Sequence, residues 1–456
     1  MQGFLAWLTE RTGEIAGALW SSPLTLGVLL LTGLYLTVRL RLVQVRGFRH
    51  ALALLSGRYS SHRDVGEVSH FQALSTALSA TVGTGNIAGV ATAIAFGGPG
   101  ALFWMWVTAA IGMATKFAEC SLALRFREVS PDGEIAGGPM YTLARGAGRP
   151  WLARAFALFA MITAFGIGNM VQANSVVDGL RYVVPALEGQ GGVVGLALAA
   201  LVGLVIIGGV RRIARVASML VPFMAVLYLA GAVIVVANHL PEVPAALATI
   251  VQHALSPWAV GGAAVGEAIR WGVARGLFSN EAGLGSSPMA HAAARTNEPV
   301  REGLVAMMEP FIDTLVICTM TGLAIVVTGA WQTPDESLKG AALTAHAFSL
   351  VLGPAGGWIV GLGLVLFAYS TTIAWSYYGD RAARFLLGPR AVMPYRVIYT
   401  LVVIVGAAVP LKLVWNLADI ANLFMALPNL ISLWLLAGVV ARMERDYFSR
   451  PQRPVR

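Results

Sequence analysis

Two short stretches combine glycine with polar side chains in a sequence that is otherwise largely apolar. The first reads GTGN, from Gly83 to Asn86, and the second reads FSN, from Phe278 to Asn280. A helix that unwinds inside a membrane exposes amide donors that can hold a carboxylate and carbonyl oxygens that can bind a small cation. The two stretches therefore predict a site for a small zwitterion or anion beside a hard cation.

Two other interpretations fit these stretches less well. Residues 83–88, GTGNIA, fit the dinucleotide fingerprint G-x-G-x-x-A, but no strand is predicted before them and the next acidic residue is Glu119. The glycines could also serve only to let helices pack closely. The local density of Gly, Thr and Asn, repeated in a second apolar segment at 276–286, favours a pair of broken helices instead.

The composition places both stretches in a membrane protein. The chain has 456 residues, of which 57% are hydrophobic and 12% charged, whereas soluble proteins carry about 25% charged residues. We therefore expect an all-α integral membrane protein without a separate soluble domain. The two cysteines, Cys120 and Cys318, lie in apolar segments, which indicates buried hydrophobic side chains and excludes a disulfide framework.

Apolar segments predict eleven transmembrane helices, since a helix needs roughly 20 residues to cross the hydrocarbon. The predicted spans are residues 22–42, 70–97, 102–125, 155–185, 191–210, 215–238, 259–292, 302–329, 354–380, 394–411 and 413–441. Residues 1–21 are predicted to form an amphipathic surface helix, 22–65 the first span with its loop, and 442–456 a tail.

Arginines assign the two sides of the membrane. They fill the loops of one parity and the C-terminal tail, while the opposite side carries only Arg11, Arg181, Lys339 and Lys412. By the positive-inside rule the N-terminus is outside and the C-terminus cytoplasmic. The net charge of +9 then reflects topology and contact with lipid headgroups, and nucleic-acid binding is not expected.

Each polar stretch lies near the start of a block of five predicted spans. Because five is odd, the two blocks cross the membrane in opposite senses, as in the inverted repeats of secondary transporters. We expect a core at residues 66–441, with one repeat at about 66–240 and the other at about 255–441.

Several long motifs carry a family resemblance. They are LSATVGTGNIAGVATAIAFGGPGALFWMW, ATKFAE, GGPMY, GLFSNEAGLGSSPMAHAAA and FAYSTTIAWSYYGD. Together, from about residue 65 to 440, they resemble the alanine or glycine:cation symporter family of prokaryotes. The resemblance implies a LeuT-type fold of two inverted five-helix repeats preceded by one extra helix. It also implies uptake of alanine or glycine coupled to Na⁺ or H⁺ across a bacterial inner membrane, with no cofactor other than the transported ion.

The same resemblance suggests site residues. Gly83, Thr84, Gly85 and Asn86 would hold the substrate carboxylate through backbone amides. A sodium site would combine the carbonyls of Ser79 and Val82 with hydroxyls from Ser370, Thr371 or Thr372, since oxygen ligands suit a hard cation. The alternative for these hydroxyls is a hydrogen bond to the carbonyl four residues earlier on their own helix.

Amide side chains on the fourth span are further candidates. Gln172 is expected to bind the ligand ammonium or carboxylate, with Asn169 and Asn174 next, because intramembrane amides usually face the bundle interior; hydrogen bonding between helices is the alternative. In the second stretch Ser279 and Asn280 join the site. Phe278, with Met170 and Ile87, would form a wall that favours small side chains by crowding.

Charged residues inside the spans have several interpretations. Lys116 and Glu119 are expected to pair on one helix face. Glu309 and Asp313 are functional candidates because carboxylates at this depth are costly. Glu281 is expected to cap a half-helix, although a buried carboxyl could also carry a proton.

Other classes of protein fit less well. A channel filter is usually built as a ring from several subunits, and no nucleophile–base pair or zinc ligand set indicates an enzyme. The alternative within transporters is a proton-coupled carrier of another small metabolite. The oligomeric state is not predicted.

Overall fold

The computed structural model describes residues 2–59, 61, 64–129, 134–187, 189–255, 263–333, 338–408, 411–452 and 454. These residues are mostly helical. Within the described ranges a short antiparallel sheet joins β1 (Glu128–Val129) to β2 (Ile135–Ala136).

The helices are given in two groups in chain order. The first group is α1 (Gln2–Ser21), α2 (Pro23–Arg39), α3 (Val43–Arg46), α4 (Phe48–Leu55), α5 (His70–Thr81), α6 (Val90–Gly97), α7 (Gly100–Arg125), α8 (Pro139–Tyr141), α9 (Pro150–Phe165), α10 (Val171–Val183), α11 (Gly191–Ile206), α12 (Gly209–Asn238) and α13 (Val243–Leu255). The second group is α14 (Ala263–Asn280), α15 (Pro288–His291), α16 (Pro299–Ala306), α17 (Met308–Pro310), α18 (Thr319–Val327), α19 (Ala341–Leu352), α20 (Pro354–Leu387), α21 (Val392–Ala408) and α22 (Leu411–Ser449).

Shorter helical turns lie between these elements. The π-helical turns are Gly85–Gly89, Thr142–Gly146, Gly166–Met170 and Phe311–Cys318, and the 3₁₀ turns are Pro185–Leu187, Leu240–Glu242, Ala330–Gln332 and Pro389–Ala391. π-Helical turns are rare and occur frequently at functional sites.

Among the described residues, seven helices are long and apolar enough to cross a membrane, or up to nine if each bent pair is one span. Two predicted spans are not among them: 191–210 corresponds to α11, which has 16 residues, and 259–292 corresponds to α14 and the break that follows it. Residues 259–262 and 409–410, which belong to two predicted spans, lie outside the described residues. A helical membrane protein is confirmed, and the count of eleven stays a prediction.

The first predicted break is present between α5 and α6. Ser69 caps α5 in a reciprocal pair with Gln72. The helix ends at Thr81, because Val82 leaves the helical region with φ −74° and ψ 89°. The chain then resumes as a π-helical turn, and the two halves are bent by 53°.

The second predicted break follows α14. Glu281, Gly283 and Gly285 have φ values of 54°, 92° and 81°, a left-handed conformation that glycine adopts readily and glutamate rarely. Asn429 Nδ2 on α22 donates to the Gly283 carbonyl at 2.9 Å, so a neighbouring helix satisfies backbone that the break releases.

The segments that lead into α5 and out of the second break are joined. Glu67 N donates to Ala293 O at 2.8 Å, and Arg295 N donates to Val68 O at 2.7 Å. The Arg127 guanidinium donates to four carbonyls at 2.7–2.9 Å, those of Val65, Ala292, Ala294 and Thr296. We call this arrangement the arginine clamp; it lies on the side predicted to carry the arginine-rich loops, named here the arginine-rich side.

The N-terminal helix contacts the end of the molecule away from the clamp. α1 packs against α22, where Asn416 Nδ2 donates to Thr9 O at 2.9 Å and Trp20 Nε1 donates to Asp419 O at 3.1 Å. The long helices α7, α20 and α22 form the interior, since α14 and α16 pack along α7, and α9 and α10 along α20. These contacts place both breaks inside the bundle.

Candidate functional site

The two polar stretches meet at Asp313. Asn86 Nδ2 from the first stretch donates to Asp313 Oδ1 at 2.6 Å, and Ser279 Oγ from the second donates to Asp313 Oδ2 at 2.7 Å. Thr314 Oγ1 adds a third donor at 2.8 Å. All four residues are at most 1% exposed, so one buried carboxylate receives hydrogen bonds from both breaks.

This arrangement differs from the predicted roles of Asn86 and Gly83. The amide of Gly83 donates to Asn86 Oδ1 at 2.8 Å, so in this structure it faces a side chain of its own segment rather than open space for a carboxylate. Asn280, also predicted to line the site, donates to Thr314 Oγ1 at 3.4 Å and accepts from Ala282 N at 3.0 Å. These polar groups bind each other and set the geometry of the breaks.

A second set of side-chain oxygens lies around Gly83, and we call them the open oxygens because they lack a hydrogen-bond partner among the described residues. Thr84 Oγ1, Gln172 Oε1 and Thr371 Oγ1 are buried and have no hydrogen-bond partner among the described residues. A Cβ placed on Gly83 would lie 2.7 Å from Thr371 Oγ1 and 3.8 Å from Gln172 Oε1. Because a buried polar atom without a partner is costly, these oxygens are suited to a bound cation or ammonium group.

The structure brings predicted sodium ligands of α5 and α20 together, but their hydroxyl groups differ in their hydrogen-bond partners. Ser79 and Ser370 exchange hydrogen bonds, Ser79 Oγ to Ser370 O at 2.8 Å and Ser370 Oγ to Ser79 O at 3.3 Å. Thr372 Oγ1 donates to Ala368 O at 2.9 Å, which is the bond to the carbonyl four residues earlier that was the alternative interpretation. Thr371 is the hydroxyl of the three that has no partner.

The predicted amides on the fourth span have separate roles. Gln172 Nε2 donates to Ile167 O at 3.0 Å, which holds the side chain while Oε1 points toward Gly83. Asn169 Nδ2 donates to Tyr399 O at 2.7 Å, and Asn174 Nδ2 donates to Gly406 O at 3.4 Å. Both asparagines therefore bond to α21, as expected for hydrogen bonds between helices.

A cavity of about 430 Å³ opens above the breaks, on the side of α1. It extends from Ala88 and Gly89 to Arg275 and Asp419, whose charged atoms are 4.0 Å apart. The Arg275 guanidinium lies 5.6 Å from the Phe278 ring centroid. Phe278 also touches the first break, since a Cβ on Gly85 would lie 3.3 Å from its ring.

Two predictions about buried charges were wrong. Lys116 pairs with Glu309, Nζ to Oε2 at 2.9 Å, and not with its helix neighbour Glu119, which accepts from Asn429 at 2.5 Å. Glu281 does not cap helix-start amides; it accepts hydrogen bonds from Ser286 Oγ and from the Trp375 indole. Glu309, Asn429 and Trp375 are far away in sequence from the groups they contact, where spacing along one helix carries no signal.

Broken helices that meet at buried polar groups inside a membrane bundle form the binding sites of secondary transporters. The fold and the site thus define this class. A crystal structure of a mutant manganese transporter from Eremococcus coleocola shares the fold, with a TM-score of 0.50 at 14% identity over 83% of this chain and 81% of that chain.

Sequence comparison gives the family. Residues 5–454 match the sodium:alanine symporter family. The sodium/alanine symporter AgcS of Methanococcus maripaludis is 48% identical over 425 residues, 92% of this chain and 92% of its own length. An uncharacterized transporter of Haemophilus influenzae is 48% identical over 440 residues, 95% of this chain and 94% of its own length. The chain belongs to the sodium:alanine symporter family and is a multi-pass membrane transporter, not an enzyme.

Proposed function

We propose that this protein is a secondary active symporter that couples inward Na⁺ movement to uptake of alanine or glycine by alternating access. The open oxygens of Gln172 and Thr371 beside Gly83 carry the proposal, because they lie where the first helix is broken and have no hydrogen-bond partner in the described part of the chain. Family membership supports Na⁺ and alanine as the expected pair of cargoes.

Thr371 would supply the side-chain oxygen of the ion site, with carbonyls from the Ser79 to Val82 segment completing it. Ser370 and Ser79 already bond each other and would hold the two helices at the separation that the ion requires. Thr372 would contribute no ligand, since its hydroxyl is used within α20.

The amino acid would bind between the two breaks. Its ammonium or carboxylate would meet Gln172, whose Oε1 is unpartnered, and its side chain would face Phe278. Bulky side chains would clash there, which favours alanine and glycine; one extra methylene in such a pocket changes the binding free energy by about 1–3 kcal/mol.

The protein would lie in a bacterial inner membrane, with the N-terminus outside and the arginine-rich side cytoplasmic. Two inverted repeats of LeuT type, at about 66–240 and 255–441, would move relative to each other about the breaks. The arginine clamp would close the cytoplasmic side.

A second candidate is a proton-coupled carrier of another small metabolite. The observation that favours it is Asp313, a fully buried carboxylate held between the two breaks by three side-chain donors. Protonation of this group could then replace the binding of Na⁺.

Radiolabelled alanine uptake into proteoliposomes tests the proposal. At equal pH on both sides, accumulation should require an inward Na⁺ gradient and should not occur with K⁺. Thr371→Ala should raise the Na⁺ concentration for half-maximal uptake by tenfold or more, while the matched control Thr372→Ala should stay near wild type. Uptake that ignores Na⁺ and follows a proton gradient would favour the second candidate, and folded protein that takes up neither alanine nor glycine under either gradient would refute the substrate assignment.

A further inference from the structure

A row of buried ionisable side chains crosses five helices on the arginine-rich side. We call it the buried relay: His70 on α5, Glu302 on α16, His291 on α15, Glu309 on α17 and Lys116 on α7. Each is at most 2% exposed. The relay is separate from the open oxygens at Gly83, and nothing in the proposed transport of Na⁺ and alanine requires it.

Direct contacts join each member of the relay to the next. His70 Nδ1 contacts Glu302 Oε2. His291 Nδ1 lies 2.5 Å from Glu302 Oε1, and His291 Nε2 lies 2.6 Å from Glu309 Oε1. Lys116 Nζ completes the row, 2.9 Å from Glu309 Oε2.

The contacts of His291 require an additional proton. A neutral imidazole has one N–H donor and one lone pair, and an ionised carboxylate can only accept. With both glutamates ionised and His291 neutral, one of its two short contacts would bring two lone pairs together. Either His291 is an imidazolium or one carboxyl is protonated, so the bridge holds one proton beyond a neutral imidazole and two carboxylates.

The charges of the relay agree with this count. Glu302 and Glu309 carry two negative charges, and Lys116 carries one positive charge. His70 meets Glu302 with one nitrogen only, since its Nε2 is buried without a partner, and a neutral His70 satisfies that contact. One extra proton at His291 therefore brings the relay to zero net charge, as expected for groups removed from water.

We propose that the Glu302–His291–Glu309 bridge is a proton-binding site. It holds the start of α5, at His70, against α15, α16 and α17 on the arginine-rich side. Its ligand is a single proton. The bridge joins the segment after the second break to α16 and α17, and Glu302 extends it to His70 at the first turn of α5. Opening of this side would separate His70 from Glu302 and expose the bridge to water.

Other titratable groups face the relay from the elements packed around it. Among the described residues they are Glu119 and Cys120 on α7, Glu281 in the second break, Asp313 between the two breaks, Tyr378 on α20 and Arg127 in the clamp. Glu119 and Glu281 are engaged by Asn429 and by Ser286 with Trp375.

Glu302→Gln is the sharpest variant, because it keeps the shape of the side chain and changes the proton count. The glutamine amide can donate to His291 Nδ1 while its oxygen accepts from His70, so every contact is satisfied with neutral imidazoles. The pair between Lys116 and Glu309 is preserved. Glu298→Gln, at the N-cap of the same helix, is the matched control, since Glu298 contacts Arg450 near the surface.

The test is nitrogen NMR of purified full-length protein labelled with ¹⁵N-histidine at pH 8, where only about 3% of an ordinary imidazole is charged. Wild type and Glu298→Gln should show one imidazolium, with both ring nitrogens protonated, or else a buried carboxylic-acid stretch in the infrared spectrum. Glu302→Gln should lose whichever of these two signals wild type and Glu298→Gln share, measured as a difference spectrum so that other buried carboxyls such as Asp313 cancel.

A wild-type protein with only neutral histidines and no carboxylic-acid band in the difference from Glu302→Gln would overturn the proposal, as would an imidazolium that survives in folded Glu302→Gln. Thermal unfolding gives a second measurement. A proton bound in the folded state stabilises it until the pH rises through its titration, so the Tm of wild type should fall between pH 8 and 10 by more than that of Glu302→Gln. Equal slopes would contradict the assignment. Neither measurement needs a transport assay, so the outcome is independent of the proposed substrate and ion.

Discussion

Replacement of Asn86 by alanine should weaken substrate binding, because the Asn86 side chain joins the first break to Asp313. Asn86 accepts from the Gly83 amide at 2.8 Å and donates to Asp313 Oδ1 at 2.6 Å. In Asn86→Ala the Gly83 N–H is left buried without its partner, at a cost of about 1–3 kcal/mol, and Asp313 loses a hydrogen bond to a charged group worth about 1.5–3 kcal/mol.

This loss of free energy destabilises the conformation in which the first break is ordered. If relaxation leaves about 3 kcal/mol of the total, the equilibrium constant between the ordered and disordered break falls by roughly 100-fold, and the apparent affinity falls with the fraction of protein that stays ordered. The assay is equilibrium binding of radiolabelled alanine to purified protein at saturating Na⁺, together with thermal unfolding.

Asn238→Ala is the control for this prediction. Asn238 lies exposed at the end of α12 and donates only to Ile234 O on its own helix, at 2.8 Å. Its removal should leave binding and Tm near wild type. Folded Asn86→Ala that binds alanine within twofold of wild type would show that the Asp313 hydrogen bonds do not hold the break, and the reasoning would be wrong.

Two further predictions concern stability. Gly168→Ala should lower the Tm, because a Cβ there would lie 2.2 Å from Trp375 Cβ and overpacking costs about 1–3 kcal/mol. Gly438→Ala is the control, since a Cβ at Gly438 meets nothing within 4 Å. Equal Tm values for the two variants would contradict the prediction. Asp380→Ala should lower the free energy of unfolding by about 3–5 kcal/mol in thermal or denaturant unfolding. The reason is that Arg396 Nη2 lies 2.5 Å from Asp380 Oδ2, so the replacement leaves this buried guanidinium without a counter-charge. Unchanged stability would show that water reaches Arg396.

The positions of the two breaks could be predicted from local sequence. Glycines and polar residues inside an apolar segment disfavour a continuous helix wherever the fold places it, so Gly83 and the residues after Asn280 were recognisable without a structure. The all-α fold class and the location in a membrane can likewise be predicted from the composition and the apolar segments.

The partners of the polar groups could not be predicted. Asn86 and Asp313 are separated by 227 residues, and no pattern along one helix indicates which carboxylate an asparagine will meet. Lys116 illustrates the same limit: the i, i+3 rule pointed to Glu119, but the fold brings Glu309 closer. The rule considers one helix, whereas a buried charge takes the partner that leaves the fewest unsatisfied groups.

The arginine clamp has a consequence for how variable this protein can be. Arg127 and the strand-like contacts around it bind main-chain carbonyls, which every residue type possesses. The contact therefore sets no requirement on the side chains at Val65, Ala292 and Thr296, although burial restricts the last two. Arg127→Lys, in contrast, would lose the fork that reaches four oxygens at once. Part of the clamp is open to solvent, so water can replace each bond as it breaks, at a net cost of about 0.5–1.5 kcal/mol. If the clamp closes the cytoplasmic side as proposed, it can break and re-form in each transport cycle with Arg127 supplying the side chain that it requires.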